Sequence, residues 1–311
     1  MPDFSIWPQC NIGCVFCSNP VEGFRNTEEK YSFAEIVRKV ERYKRGLKTF
    51  VKFDDVRDYF NLTGGEPTLH PDFLKIVAHI RTEFPKNLIR LLSNGRMFAY
   101  PDFARRTLGI GLEPFEVAVP LFGYDAPSHE SISRTPKSFE QTVAGLRNLL
   151  AHRAPGQKIE IRIILTRIQV RHLDGLLDFI LEEFSAVDRV AFLFVELEGF
   201  AEKYADAVKM PMSECAAHLD RNYEKLKKLP DARLYHFPLC VLPTRLWPFV
   251  YNTLAPFKIT YLDGCHSCAH KSQCVGVHKS YQKTMGAPDI RPIPKARDVR
   301  LSGDPYRPVL A

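Results

Sequence analysis

Two rhythms of apolar and polar positions alternate along the chain. Short runs of aliphatic and β-branched residues give way to longer stretches in which apolar side chains return every three or four positions. This is the signature of repeated β-α units around a parallel sheet. Phe4 to Trp7 reads as a first strand. From Ser32, a candidate N-cap, the residues Phe33, Ile36, Val37, Val40 and Tyr43 fall on one helical face. Tyr59 to Leu62 is a second strand, Asp72 to Phe84 a helix and Leu88 to Leu92 a third strand. Glu116 to Val119, Ile159 to Leu165 and Arg189 to Leu197 complete a set of six, with helices over Ser138 to His152 and Leu173 to Phe184. The class is α/β. After Gly199 the rhythm changes to one helical stretch, Ser213 to Leu229, and then loop-like sequence. The predicted division is therefore a core over residues 1–199 and an extension over 200–311. Five prolines beyond Met285 predict an extended tail packed on or trailing from the core.

Composition narrows the class. With 311 residues, 45% hydrophobic and 25% charged, the chain can bury a large core and is not of the disordered type. It has no basic leader ahead of an apolar run and no apolar stretch of about twenty residues, so a cytoplasmic protein without a membrane partner is expected. Thiols stay reduced in that compartment. Eight cysteines, most of them grouped, then read as metal ligands rather than disulfides. The net charge of +7 reads as scattered and solvated. No basic segment carries the interleaved aromatics that stack bases, so no nucleic-acid partner is indicated.

Cys10, Cys14 and Cys17, spaced CxxxCxxC, place three thiolates on one loop directly after the first strand. Iron-sulfur clusters of the cubane type normally take four, and the next cysteine is Cys215, far along the chain. One iron would be left open to a small molecule. A zinc site is the alternative, and it wants a closed set of four ligands. Some fifty residues on, Thr63-Gly64-Gly65-Glu66-Pro67-Thr68 ends the second strand, and Ser93-Asn94-Gly95 ends the third. In parallel β/α folds the chemistry gathers at such strand ends.

With Phe16 just before the third cysteine, these motifs resemble the radical S-adenosylmethionine (SAM) enzymes. The resemblance implies a partial (β/α)6 TIM-like barrel with a small C-terminal Fe-S cluster extension. It implies a 4Fe-4S cluster on Cys10, Cys14 and Cys17 whose free iron chelates SAM, and an electron that cleaves SAM to a 5'-deoxyadenosyl radical. That electron needs a reducing donor such as flavodoxin or ferredoxin. The cysteines are thus the expected catalytic and metal residues. Gly64, Gly65, Glu66 and Pro67 are expected to hold the SAM amino group, the glycines because no Cβ obstructs their carbonyls. Ser93 and Asn94 suit its ribose hydroxyls. Arg134, in a stretch similar to one in the peptide-modifying branch, suits its carboxylate through a planar guanidinium. His129, in the same stretch, reads as structural.

Four further cysteines, Cys240 and Cys265-x2-Cys268-x5-Cys274, match the number that closes a second cluster, with structural zinc as the alternative. The spacing resembles the SPASM and Twitch extensions of radical SAM enzymes, which carry an auxiliary 4Fe-4S cluster. His278 stands where a full SPASM core has another cysteine. Pro238-Leu-Cys240, Trp247-Pro-Phe and the Cys265 to Gly276 run look most like the His-Xaa-Ser system maturases. That resemblance implies a peptide or small-protein substrate. The cysteine motif begins at residue 10, which predicts no separate leader-gripping domain before it. Small-molecule chemistry of the MoaA branch therefore stays open, as does a non-catalytic, metal-stabilised binding protein. Cys215, beside Ala216 and Ala217, reads as a buried small hydrophobe.

Overall fold

The computed structural model describes residues 3–18, 28–46 and 59–310. Eight strands run parallel in sequential order: β1 (Asp3–Trp7), β2 (Tyr59–Gly64), β3 (Leu88–Leu92), β4 (Phe115–Pro120), β5 (Gln157–Leu165), β6 (Arg189–Phe194), β7 (Ala232–Tyr235) and β8 (Val250–Tyr251). Parallel strands are covered by helices, so at least one face of each strand is a row of buried apolar residues. Phe115, Val117 and Val119 of β4 and Val190, Phe192 and Phe194 of β6 are all buried. Among the described residues the sheet is open, with β1 and β8 at its edges.

Helices α1 (Phe33–Lys44), α2 (Phe73–Glu83), α3 (Pro101–Gly111), α4 (Ala126–Ser133), α5 (Ser138–His152), α6 (Arg167–Val170) and α7 (Leu173–Glu183) connect the first six strands. Ser32 caps α1 as expected, its Oγ accepting from Glu35 N at 3.3 Å. A capping box between Asp125 and Ser128 starts α4. α3 and α4 were not among the expected elements.

The sheet is longer than the six units read from the sequence. β7 and β8 come from the region assigned to the extension; β7 pairs with β6, Leu193 opposite Tyr235, and β8 pairs with β7, Tyr235 opposite Tyr251. β6 itself stops at Phe194, so Glu196 lies on the following loop. The expected helix over Ser213 to Leu229 is two, Met212–Arg221 and Tyr223–Lys228. Asn222 divides them, because its amide Nδ2 donates back to His218 O at 3.0 Å and competes with the backbone ladder. Cys215 is fully buried on the first of these. A small antiparallel pair, β9 (Ile259–Thr260) and β10 (Val277–His278), closes the loop that carries the last three cysteines. The proline-rich tail packs back on the protein, burying Ile290, Ile293 and Val309. Among the described residues no helix is long and apolar enough to cross a membrane.

The barrel interior is charged. Glu160 on β5 receives Arg90 Nη2 at 2.6 Å and Arg189 Nη1 at 2.9 Å, and Arg90 Nε also donates to Glu116 at 2.5 Å. Arg162 Nε stands 3.4 Å from Glu160, so Arg162 pairs with that carboxylate.

Candidate active site

β1 delivers the cysteine loop to the strand ends, and three neighbouring elements clamp that loop by its backbone. From the β2 side, Gly65 N donates to Trp7 O and Glu66 N to Gln9 O, both at 2.7 Å. From the end of α4, Ser133 O accepts from Gly13 N at 2.9 Å and Ile132 O from Val15 N at 3.0 Å. From the loop after β6, Phe200 N donates to Cys17 O at 2.9 Å. The glycines of the GGEP motif fit this arrangement for a steric reason. A Cβ on Gly64 would stand 2.1 Å from Trp7 O, and one on Gly65 2.4 Å from Gln9 O and Pro8 O. Only glycine lets the two backbones meet.

Glu66 is fully buried and turned inward. Its Oε1 accepts from Thr68 N (3.1 Å), Thr68 Oγ1 (2.5 Å) and Ser93 Oγ (2.7 Å), and Oε2 accepts from Asn94 N (2.6 Å). Burial raises its pKa, and these donors oppose the rise. Pro67, at the start of the short turn that follows, is buried as well. Ser93 Oγ also accepts from Gly95 N at 3.1 Å. The Asn94 amide donates to Asn11 Oδ1 at 2.7 Å and lies 3.8 Å from Cys10 Sγ. Ser93 and Asn94 are thus engaged with the protein and brace the cysteine loop from behind. Phe16 meets Phe122 edge-on at 5.4 Å. Arg134 caps α4 in the left-handed region (φ 54°), with its exposed guanidinium 4.6 Å above the Tyr204 ring. His129 is buried, its Nδ1 accepting from Phe122 N at 3.3 Å, and burial depresses its pKa to about 4. It is a neutral, structural residue.

Sequence reasoning missed several members of this frame. Arg96 donates through Nη1 to Asn11 O and through Nε to Gln141 at 2.6 Å, and Thr142 Oγ1 donates to Asn94 O at 3.1 Å. Gly199 sits at φ +60°, where an added Cβ would lie 2.5 Å from Cys17 O. Its one legible signal was a glycine just past a strand end.

Burial pushes the Cys14 thiol well above its usual value and the Cys10 thiol up to about 11. Thiols held this way carry charge only against a bound cation. The three donors, two of them half-buried, suit a thiolate-ligated iron-sulfur centre.

Cys240, Cys265, Cys268 and Cys274 line one small pocket with Leu239, Tyr261 and Ile293. Burial raises the Cys240 thiol to about 12, and the other three cysteines add to it. Backbone N–H groups already face the sulfurs, from Gly276 to Cys274 and from Ile293 to Cys268, each at 3.4 Å. Such donors stabilise ligating thiolates. Trp247 holds the Cys240 turn: its Nε1 faces Leu239 O at 3.0 Å and Leu242 O at 3.1 Å. His278 is an N-cap, its Nδ1 accepting from Ser280 N at 3.1 Å, while Nε2 stands 3.6 Å from Glu196. Lys258 Nζ meets the same carboxylate at 2.7 Å.

A parallel α/β barrel with a three-thiol loop at its strand ends defines a class of cluster-binding fold. The chain belongs to the radical SAM superfamily, whose family model matches residues 4–180. It is 30% identical over 172 residues to the mycofactocin maturase MftC of Mycobacterium tuberculosis, covering 53% of this chain and 37% of that protein. It is 29% identical over 178 residues to the GTP 3',8-cyclase of Lactiplantibacillus plantarum, covering 57% of this chain and 48% of that one. The chain thus matches less than half the length of these relatives. In fold it is similar to Streptococcus suis SuiB bound to S-adenosylmethionine (TM-score 0.54, 15% identity, 73% of this chain and 47% of that one). It is also similar to native anSMEcpe with bound AdoMet and the Cp18Cys peptide (TM-score 0.52, 15% identity, 73% and 60%).

Proposed function

We propose that this protein is a radical SAM enzyme that modifies a ribosomal peptide or small protein. The observation that carries the reading is the three-sided backbone clamp on the Cys10 to Cys17 loop, built next to the GGEP turn at the strand ends. Cys10, Cys14 and Cys17 would hold a 4Fe-4S cluster, which with SAM supplies reductive cleavage and hydrogen abstraction. The carbonyls of Gly64 and Gly65, followed by Pro67, would receive the SAM amino group, while Glu66 fixes their turn from within. Arg134, stacked on Tyr204, would pair with the carboxylate. Ser93 and Asn94 would have to exchange protein partners to reach the ribose. Residues 200–311 would act as the extension, with Cys240, Cys265, Cys268 and Cys274 holding an auxiliary cluster. The peptide substrate is supported by the maturase relative and by SuiB, a protein of this fold with a structure bound to the precursor peptide SuiA.

Anaerobically reconstituted protein with SAM and dithionite is expected to form 5'-deoxyadenosine, and Cys14→Ala is expected to abolish this while staying folded. Retained product in that variant would overturn the reading. The 29% identity to a GTP 3',8-cyclase favours a second reading, small-molecule chemistry. Stimulation of SAM cleavage by GTP rather than by a candidate peptide would select it.

A further inference from the structure

The net charge is not scattered as the sequence suggested. Pro256 to Leu310 contains nine Lys and Arg against four Asp, so most of the chain's +7 sits in its last fifth. Part of this charge is pinned around the second thiol site. The backbone N–H of Arg291 serves the Cys240 sulfur, Ile293 N reaches Cys268 Sγ, and Arg297 N donates to His270 Nε2 at 2.8 Å. The side chains of Arg291, Lys295 and Arg297 are exposed. Lys271, half-buried with Nζ 3.2 Å from His266 Nδ1, lines an open cleft with Tyr261 and Cys268. Among the described residues none of these four cations has a carboxylate within ion-pair distance, unlike Lys258 of the same segment. Asp289, by contrast, is engaged by Tyr281 and Ser213, and the nearby Asp263 and Asp298 are exposed.

We propose that Lys271, Arg291, Lys295 and Arg297 form a docking collar for an acidic one-electron carrier protein of the flavodoxin or ferredoxin class. The inference rests on the reading that the four cysteines hold an iron-sulfur centre. Cations without a carboxylate partner gain most from a partner of opposite sign, and they speed encounter in a salt-dependent way. Their position around redox-capable thiols selects a carrier over other acidic partners. The carrier gives up one electron to the centre that the thiolates hold and leaves oxidised by one electron. No bond to the protein forms or breaks.

The test is the dissociation constant of a purified acidic flavodoxin, by calorimetry at low and at physiological salt. Wild type is compared with Lys295→Glu/Arg297→Glu, two residues that make no contact with the four sulfurs. Binding is expected to weaken by about tenfold or more and to lose its salt dependence. Flavodoxin-driven SAM cleavage should fall in parallel while dithionite-driven cleavage is unchanged. An unchanged dissociation constant overturns the proposal. So does an equal loss with dithionite, which would mark a substrate surface or a damaged fold. The parent reading fails separately: about four irons per wild-type chain instead of about eight would remove the second cluster, whatever the binding result.

Discussion

The Asn94 backbone N–H donates to Glu66 Oε2 at 2.6 Å, and this bond joins the ends of β2 and β3 directly behind Cys10. Glutamine at position 66 could still offer one oxygen to Thr68 and Ser93. Its amide would then set a donor against the Asn94 N–H. Glu66→Gln is expected to cost about 2–3 kcal/mol, the scale of a buried donor left unpaired, and to lower iron bound at the first site. Urea denaturation and iron per chain check this, and wild-type values for both would refute the bracing role.

Gly199→Ala tests the third side of the clamp. The backbone there is at φ +60° and ψ −124°, a region that side chains avoid. The new Cβ would press on Cys17 O and on Ser18 Cα at 3.0 Å. We expect SAM no longer to perturb the electron paramagnetic resonance signal, while the far-ultraviolet spectrum and the four C-terminal cysteines' metal content persist. A variant that binds SAM normally would show that Cys17 does not depend on this contact.

Much of the barrel was legible because buried parallel strands are written largely in apolar residues, as in Val190 to Phe194. β7 escaped notice because Arg233 breaks its apolar run. That side chain is carried by Asp231 at 2.6 Å and lies over Tyr251, a tertiary solution with no local sign. β8, at two residues, is too short for any periodicity to show. The site divides the same way. The cysteines and the glycines are chemical types whose spacing carries meaning. The clamps from Ile132, Ser133 and Phe200 act through backbone atoms, and a backbone contact leaves no side-chain pattern to read. Glu66 was legible as a residue, but its inward direction follows from Ser93, Asn94 and Thr68 closing around it.

Trp247→Phe should separate the two thiol sites. The ring volume is partly kept, but Leu239 O and Leu242 O lose their shared donor on either side of Cys240. Iron is expected to fall from about eight to about four per chain, with 5'-deoxyadenosine formation from dithionite retained. Loss of both iron sets would mean that Trp247 supports the whole barrel rather than the turn.

Acid should unfold the barrel through identifiable groups. Burial alone would raise the Glu160 pKa, but Arg90, Arg162 and Arg189 outweigh it and hold the carboxylate below its ordinary value. A depressed folded pKa means that the unfolded chain binds the proton first as pH falls. The stability from Glu160 is therefore present above the ordinary carboxylate range and lost as pH drops through and below it. His129 acts with the same sign: neutral in the fold down to about pH 4, it takes a proton in the unfolded chain from about pH 6.5 downward. Stability measured by urea should thus decline from about pH 6.5 and more steeply below about pH 4.5. Glu160→Gln should cost about 3 kcal/mol at pH 7, since it leaves buried guanidinium charge less compensated. It should also flatten the acid limb while leaving the shallower decline near pH 6 in place. An acid limb unchanged in that variant would assign the loss to other carboxylates and remove Glu160 from the account.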